Sequence, residues 1–298
     1  MTDEPHSALY LTDARDLWWN ADFLALLARR ADFTSVRHAL DVGAGQGHWT
    51  RTVARLLPKG ASIVGVEREP RWVELAARAP AVDGVPVSYQ VGGAERMPFA
   101  DASFDLVTCQ TLLIHVADPR AVVAEMTRVL RPGGRLLLCE PNNIAASVSR
   151  LVTSPSVDVD DLVAALTMQA RCERGKAALG RGFDSAGETL VSLLDPALVD
   201  DVQVWLNDRC TVYAPGTDRG SRTELADDRR LIEVGPLGWS LDDTRRYFVA
   251  GGGDEAAFDG LCARVWRIAR ARLDGLVSGR ASQNEGGLFY VLCARRRA

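Results

Sequence analysis

The chain has 298 residues, of which 47% are hydrophobic and 25% charged, the balance of an ordinary globular protein. This composition excludes a mainly disordered chain, and the net charge of −4 argues against binding of nucleic acid through a basic surface. No pair among the six cysteines has Cys-x-x-Cys spacing, so we expect no metal site and no redox site. The acidic N-terminus and the short apolar runs predict a cytoplasmic protein without a signal peptide or a membrane span.

Strand-like and helix-like segments alternate through the first half of the chain. Strands are predicted at residues 36–42, 62–66, 85–91, 104–109 and 135–139. Helices are predicted at residues 46–57, 70–79 and 119–130, each followed within two residues by a proline. Such alternation is typical of an α/β fold with a mostly parallel sheet and helices on both faces. Ligands bind at the carboxyl ends of the strands in such sheets.

The second half is less regular, and we predict an α-helical lid inserted after the fifth strand. Helical patterns cover residues 155–178, 187–199, 219–234 and 254–276. The resulting domain prediction has four segments: an N-terminal helical segment and candidate lid at 1–35, a ligand-binding core at 36–145, a helical substrate lid with a returning strand near 202–207 at 146–286, and the last strand of the core sheet at 287–298.

A glycine-rich loop separates the first strand from the helix that follows it. Gly43, Gly45 and Gly47 would let the backbone turn tightly and let a ligand approach the main chain. Glu67 ends the second strand, where a carboxylate can accept both hydroxyls of a ribose. A plain turn with a surface glutamate is the alternative, but the flanking strand, helix and acid together favour a nucleotide-type cofactor.

The spacing of the loop indicates which kind of cofactor it binds. Dinucleotide sites favour Gly-x-Gly-x-x-Gly, whereas this chain has Gly-x-Gly-x-Gly with Asp41 two residues before it. A diphosphate site directs a helix dipole at negative charge. S-adenosylmethionine has no phosphate but carries a cationic amino group and a sulfonium, so a carboxylate beside the loop suits it.

Together with three later segments, this loop resembles the class I S-adenosylmethionine-dependent methyltransferases, in the branch of ubiquinone and small-molecule methyltransferases. The later segments are residues 94–105, residues 109–110 and residues 129–136. The resemblance covers about residues 36–142. It implies a Rossmann-like, seven-stranded, mostly parallel sheet and S-adenosyl-L-methionine as the cofactor, with S-adenosyl-L-homocysteine as its product.

The resemblance also implies a set of cofactor contacts, in which Asp41 and the loop lie beside the methionine part and Glu67 holds the ribose. The full set is Tyr10, Asp41, Gly43, Ala44, Gly45, Gly47, Glu67, Arg68, Ala94, Glu95, Cys109 and Gln110. The family commonly has an acid directly before the Ala-Glu pair, where this chain has Gly93. An acceptor for the adenine amino group must therefore come from Glu95, a backbone carbonyl or water.

His115 is the candidate general base because it follows the fourth strand, at the edge where the methyl group should lie. The alternative is a structural histidine in a motif shared by enzymes with unrelated substrates. Trp18, Tyr213 and Trp239 are candidate substrate contacts, although aromatic residues at helical spacing also serve as ordinary core.

These features predict transfer of a methyl group to the oxygen, nitrogen or carbon of a small, partly aromatic metabolite in specialised metabolism. Methylation of RNA or protein is the second hypothesis, disfavoured because the chain lacks a basic domain and an Asn-Pro-Pro-Tyr type motif after the fourth strand. Binding of the cofactor without methyl transfer is the third. We expect a small-molecule partner and neither nucleic acid nor membrane, and the oligomeric state is left open.

Overall fold

A computed structural model describes residue 15 and residues 17–152, 157–215 and 219–298. These residues form two compact units. The first unit consists of residues 19–141, 186–208 and 289–298. The second consists of residues 142–185 and 209–288, with the described residues up to Trp18. In the described part of the chain, no helix is both long and apolar enough to cross a membrane.

The first unit is built around a seven-stranded sheet, as far as the structure describes it. Its elements in chain order are α1 (Ala21–Arg30), β1 (His38–Val42), α2 (His48–Ala54), β2 (Ser62–Glu67), α3 (Pro70–Ala77), β3 (Val87–Val91), β4 (Phe104–Gln110), α4 (Pro119–Val129), β5 (Leu130–Pro141), β6 (Val199–Leu206) and β9 (Phe289–Arg296).

The strand order in this sheet is β3-β2-β1-β4-β5-β9-β6. Strands β1 to β5 are parallel, and β9 is antiparallel to β5 and β6. From β1 the chain first moves outward to β2 and β3, then returns to the other side of β1 to form β4 and β5. Right-handed crossovers in opposite directions place α2 and α3 on one face and α4 on the other. This arrangement confirms the predicted Rossmann-like α/β fold.

Continuous apolar segments explain why the central strands lie inside. Leu40, Val107 and Leu136 are fully buried on three adjacent strands, as expected for parallel strands with helices over both faces. Helix α4 begins where the Asp118 carboxylate accepts a hydrogen bond from the backbone N–H of Ala121 at 2.9 Å. These elements fix the carboxyl ends of β1 and β4 beside each other, at the point where the strand order reverses.

The second unit combines helices with a small two-stranded antiparallel sheet. Its elements are α5 (Asn143–Val152), α6 (Val159–Ala178), β7 (Thr211–Tyr213), α7 (Arg219–Val234), α8 (Leu241–Ala250), α9 (Phe258–Val277) and β8 (Gln283–Glu285). Strands β7 and β8 pair antiparallel. Gly175 allows α6 to approach α8 closely, because a Cβ at this position would overlap the carbonyl oxygen of Tyr247.

Several local predictions need correction. The predicted helix at residues 187–199 is wrong: a short 3-10 helix covers Gly187–Leu193, and β6 begins at Val199. Pro196 lacks a backbone donor and disfavours helical geometry at the residue before it, which ends the turn early. The sequence prediction also missed α8 and the β7–β8 pair. Ser240 signals α8 in the sequence, because its hydroxyl accepts a hydrogen bond from the backbone N–H of Asp243 at 3.1 Å.

Candidate functional site

The glycine loop lies between β1 and α2, at the edge where ligands bind in this fold. Gly43, Gly45 and Gly47 have φ angles of +72°, +53° and +78°, which residues with a side chain rarely adopt. The N–H groups of Gly43 and Ala44 donate to the carbonyl oxygen of Val66 at 2.8 and 3.0 Å. The loop is therefore held against the end of β2 by backbone contacts.

Glu67 at the end of β2 fastens the same loop through its side chain. Its carboxylate accepts hydrogen bonds from the N–H of Gly45 at 2.9 Å and of Glu69 at 3.0 Å. Each carboxylate oxygen can accept two hydrogen bonds, so this pair leaves capacity for a ligand hydroxyl. The neighbouring Arg68 is mostly exposed, with its Nε 3.8 Å from Glu69 Oε1.

Asp41 is a buried carboxyl group with one incompletely paired oxygen. Its Oδ2 accepts a hydrogen bond from the Thr50 hydroxyl at 2.6 Å, while Oδ1 has no hydrogen-bond partner among the described residues. Burial raises the pKa of Asp41 to about 7, and the charge of Glu67 adds to this shift. A buried acceptor without a partner is costly and marks a place where a ligand can supply the donor.

The end of β4 presents a complementary group. Gln110 is 6% exposed, and its Nε2 has no hydrogen-bond partner within the described residues. Because Val42 of β1 pairs with Cys109 of β4, Gln110 follows directly beside the start of the glycine loop. Cys109 itself is buried, and its thiol lies 3.6 Å from an oxygen of Glu140. This contact accounts for the Cys109 side chain, so its predicted contact with a cofactor stays a prediction.

His115 is the last residue of a short 3-10 helix, Leu113–His115, that follows β4. Its backbone N–H donates to the carbonyl oxygen of Leu112 at 2.9 Å, and its side chain is half-buried. Thr111, at the start of this turn, has a φ of +53°, unusual for a residue with a β-branched side chain. The turn thus holds His115 at the ligand-binding edge of the sheet.

Glu140 is the site residue that the sequence analysis missed. It lies near the end of β5, is fully buried, and accepts hydrogen bonds from the N–H groups of Leu112 and Leu113, both at 2.9 Å. Its second oxygen, Oε2, has no hydrogen-bond partner in the described parts of the chain. Burial raises the pKa of Glu140 to about 7. The signal was available: like Glu67, Glu140 is an acid that ends an apolar strand.

The segment that the resemblance assigns to adenine follows β3. Gly93 and Arg96 form an isolated antiparallel bridge, which makes a tight turn around Ala94 and Glu95. Ala94 is half-buried against the core, and the Glu95 side chain is exposed. The structure therefore places the Ala-Glu pair in a surface turn next to the sheet.

The other described candidate residues lie outside the first unit. Tyr10 falls outside the residues that the structure describes. Trp18 is half-buried, and the Arg15 guanidinium carbon lies 4.9 Å from its ring centroid. Trp239 is buried against Tyr247 in an edge-to-face contact, with ring centroids 5.4 Å apart. Tyr213 is buried in β7. Core packing accounts for the positions of Trp239 and Tyr213, and a role of either in substrate binding stays a prediction.

Comparison with known proteins finds a family similar to part of the first unit. Residues 40–138 match the family model described as a methyltransferase domain. This stretch runs from β1 to β5 and includes the glycine loop, Glu67, Gln110 and His115. The match confirms, for these residues, the resemblance inferred from the sequence.

Named relatives are similar to less than half of the chain. The ubiquinone biosynthesis O-methyltransferase of Xanthomonas axonopodis pv. citri is 35% identical over 147 residues, which cover 45% of this chain and 60% of the relative. The uncharacterized methyltransferase YcgJ of Bacillus subtilis is 37% identical over 118 residues, covering 39% of this chain and 46% of the relative. The matches thus span less than two thirds of either relative.

Solved structures show the same fold over a longer stretch. The structure of Bacillus subtilis YcgJ has a TM-score of 0.50 at 19% identity and covers 93% of this chain and 99% of its own. The Haemonchus contortus phosphoethanolamine N-methyltransferase 2, solved in complex with S-adenosyl-L-methionine, has a TM-score of 0.50 at 17% identity and covers 100% of this chain and 58% of its own. At these identities the likeness concerns the fold.

Proposed function

We propose that this protein is an S-adenosylmethionine-dependent methyltransferase that acts on a small molecule. The observation that carries the proposal is the pair of incompletely satisfied groups at the ends of β1 and β4. Asp41 Oδ1 is an acceptor and Gln110 Nε2 a donor, and both lack a hydrogen-bond partner among the described residues. The amino acid part of S-adenosylmethionine offers a cationic amino group and a carboxylate, which complement this acceptor and this donor.

The remaining contacts would orient the cofactor. The positive-φ backbone of Gly43 and Gly45 leaves room for the cofactor against the main chain. Glu67, already fixed by the Gly45 and Glu69 N–H groups, would accept the ribose hydroxyls. Ala94 and Glu95 would lie along the adenine. Asp41 and Gln110 are buried, which would strengthen their polar contacts with the cofactor.

The chain's own residues would align the reaction and manage its proton. The bound cofactor supplies an electrophilic methyl group on its sulfonium. His115, held at the ligand-binding edge by its 3-10 turn, would take the proton of an oxygen, nitrogen or carbon acceptor. The negative charge of Asp41 would stabilise the cationic cofactor before transfer.

A small metabolite is the acceptor class that we propose, with specialised metabolism as its setting and aromatic compounds included. The names of the relatives support a small molecule, because ubiquinone biosynthesis O-methyltransferase and phosphoethanolamine N-methyltransferase are both named for small-molecule chemistry. The net charge of −4 also argues against an RNA acceptor.

The test is calorimetric titration with S-adenosylhomocysteine. We expect the wild-type protein to bind it with a dissociation constant in the micromolar range, and Glu67→Ala to weaken binding at least about tenfold, because this variant loses both the ribose acceptor and the loop tether. Glu69→Ala is the matched control, since it removes a neighbouring acid and should leave affinity within about twofold. Absence of binding to the wild-type protein would contradict the proposed function.

A further inference from the structure

Glu140 has a contact pattern that points to the reaction site. One oxygen, Oε1, accepts hydrogen bonds from two successive backbone N–H groups, those of Leu112 and Leu113, each at 2.9 Å. These N–H groups begin the 3-10 turn that ends with His115. The N–H groups of the first residues of any helical turn have no acceptor within the turn. Glu140 supplies this acceptor at a buried position.

The same turn also touches the glycine loop. A Cβ built on Gly43 would lie 2.6 Å from Leu112 Cδ1, so the Leu112 side chain packs directly against the loop backbone. The backbone N–H of Leu112 therefore donates to Glu140, while the Leu112 side chain contacts Gly43. The chain of contacts runs from Glu140 to the loop on one side and to His115 on the other.

Holding a turn with a buried carboxylate is costly. Glu140 is fully buried, and Oε2 has no hydrogen-bond partner among the described residues. An incompletely satisfied group of this kind lowers stability and persists where its position serves a function. A carboxylate accepts hydrogen bonds more strongly than a neutral group does, which favours one fixed position of the turn.

We infer that Glu140 is a positioning residue that fixes the 111–115 turn, and thereby sets His115 and the Gly43 loop in one common arrangement for catalysis. This inference deepens the proposed methyltransferase function and depends on it for the meaning of the arrangement. Glu140 acts through Leu112 and Leu113, not by contact with a substrate.

Two substitutions separate the hydrogen bonds from the charge. Glu140→Gln keeps a carbonyl oxygen that can accept from Leu112 and Leu113, whereas Glu140→Met removes the acceptor at similar volume. We expect hydrogen exchange at these two N–H groups to accelerate at least about tenfold in the Met variant and to stay within about threefold of wild type in the Gln variant. The dissociation constant for S-adenosylhomocysteine should follow the same pattern.

Glu173→Met is the matched control for loss of a buried carboxylate. Glu173 is likewise fully buried, also has an oxygen without a hydrogen-bond partner among the described residues, and belongs to the second unit. This variant should lose stability but leave exchange at Leu112 and Leu113 and the affinity for S-adenosylhomocysteine within about twofold of wild type.

A further variant tests the coupling if Glu140→Met does not fold. Leu112→Ala removes the contact with Gly43 but keeps the backbone N–H that donates to Glu140. It should weaken binding of S-adenosylhomocysteine about tenfold while exchange at Leu113 stays slow. Unchanged affinity would overturn the coupling.

Other outcomes are equally informative. Slow exchange in Glu140→Met, or failure of Glu140→Gln to restore slow exchange and affinity, would overturn the positioning role. If the wild-type protein does not bind S-adenosylhomocysteine, the proposed function fails, but hydrogen exchange in the unliganded protein still decides whether Glu140 holds the turn.

Discussion

Asp41 and Glu140 set the electrostatic character of the candidate site at the level of single residues. Burial raises the pKa of each to about 7. Each also keeps one oxygen without a hydrogen-bond partner among the described residues. Both groups are therefore incompletely satisfied, and a cationic ligand at Asp41 would favour its ionised form. Such groups trade stability for function.

Asp41→Asn should separate the effect of the Asp41 charge on stability from its effect on ligand binding. The amide keeps an oxygen for the Thr50 hydroxyl and removes a buried negative charge. We expect thermal stability at about pH 8 to stay equal or rise, because the wild-type carboxyl is largely ionised there, well above its pKa of about 7. Affinity for S-adenosylhomocysteine should fall at least about tenfold. Thermal unfolding and calorimetric titration measure the two quantities.

Asp105→Asn is the control for this prediction. Asp105 lies near the amino end of β4 and accepts hydrogen bonds from the backbone N–H groups of Arg37 and His38 at 3.0 and 2.8 Å. These bonds and Arg131 hold its pKa below the usual range despite partial burial. Asp105→Asn should lose stability and keep its affinity for S-adenosylhomocysteine. Loss of both stability and affinity in Asp41→Asn would show that Asp41 serves mainly the fold.

At the scale of elements, the sequence predicted features whose cause is local. The glycine loop was predictable because Gly43, Gly45 and Gly47 stand between an apolar strand and a helix, and the structure gives all three positive φ angles. The parallel strands were predictable from their apolar runs. The β7–β8 pair was not, since its three-residue strands are joined across about 70 residues and carry no periodic pattern.

The missed role of Glu140 has a similar physical cause. Its partners, Leu112 and Leu113, are distant in sequence and offer only backbone N–H groups. Every residue except proline has a backbone N–H, so residue identity does not show which N–H groups an acid contacts. The sequence therefore showed the acid at the end of β5 but not its partners. His115 was predictable as a residue after β4, but the hydrogen bonds that hold its turn come from the sheet.

Gly47→Ala tests the loop as an element. A Cβ at Gly47 would meet the Tyr89 ring, lying 2.7 Å from its Cζ, and the φ of +78° adds backbone strain. We expect a loss of more than about 2 kcal/mol in the free energy of unfolding, because steric overlap adds to the roughly 1–2 kcal/mol of left-handed strain. Binding of S-adenosylhomocysteine should weaken as the loop shifts. Urea unfolding and calorimetry measure both.

Gly60→Ala isolates the strain. Gly60 has a φ of +86°, but no atom lies within 4 Å of the position a Cβ would take. The expected loss is about 1 kcal/mol, with unchanged affinity. Equal losses in the two variants would mean that Tyr89 yields without cost, and that the close approach over the loop has little energetic weight.

At the scale of the whole molecule, each unit has its own apolar core and at least one buried carboxyl group with a raised pKa. The core of the first unit surrounds the central strands, and that of the second is formed by residues of α6, α8 and α9 with Trp239. Glu140 belongs to the first unit and Glu173 to the second. Burial raises the pKa of both to about 7. The stability of each unit should therefore depend on pH in the same direction.

The expected direction follows from proton binding. Between the ordinary glutamate pKa of 4.5 and the folded value of about 7, the unfolded chain has released a proton that the folded chain keeps. The free energy of unfolding should therefore fall as the pH rises from about 5 to about 8. Acids with lowered pKa values, such as Asp105, change their protonation below this pH range. They therefore do not offset the loss of stability between about pH 5 and about pH 8.

Urea unfolding of the unliganded protein at about pH 5 and about pH 8 measures this dependence. Glu140→Gln and Glu173→Gln should each reduce the loss, because a neutral amide does not titrate, whereas Glu95→Gln alters an exposed side chain and should leave the loss unchanged. Stability that rises toward pH 8 in the wild-type protein would contradict the expected direction.

Because a cationic ligand favours ionised Asp41, saturating S-adenosylmethionine should restore more stability at about pH 8 than at about pH 5.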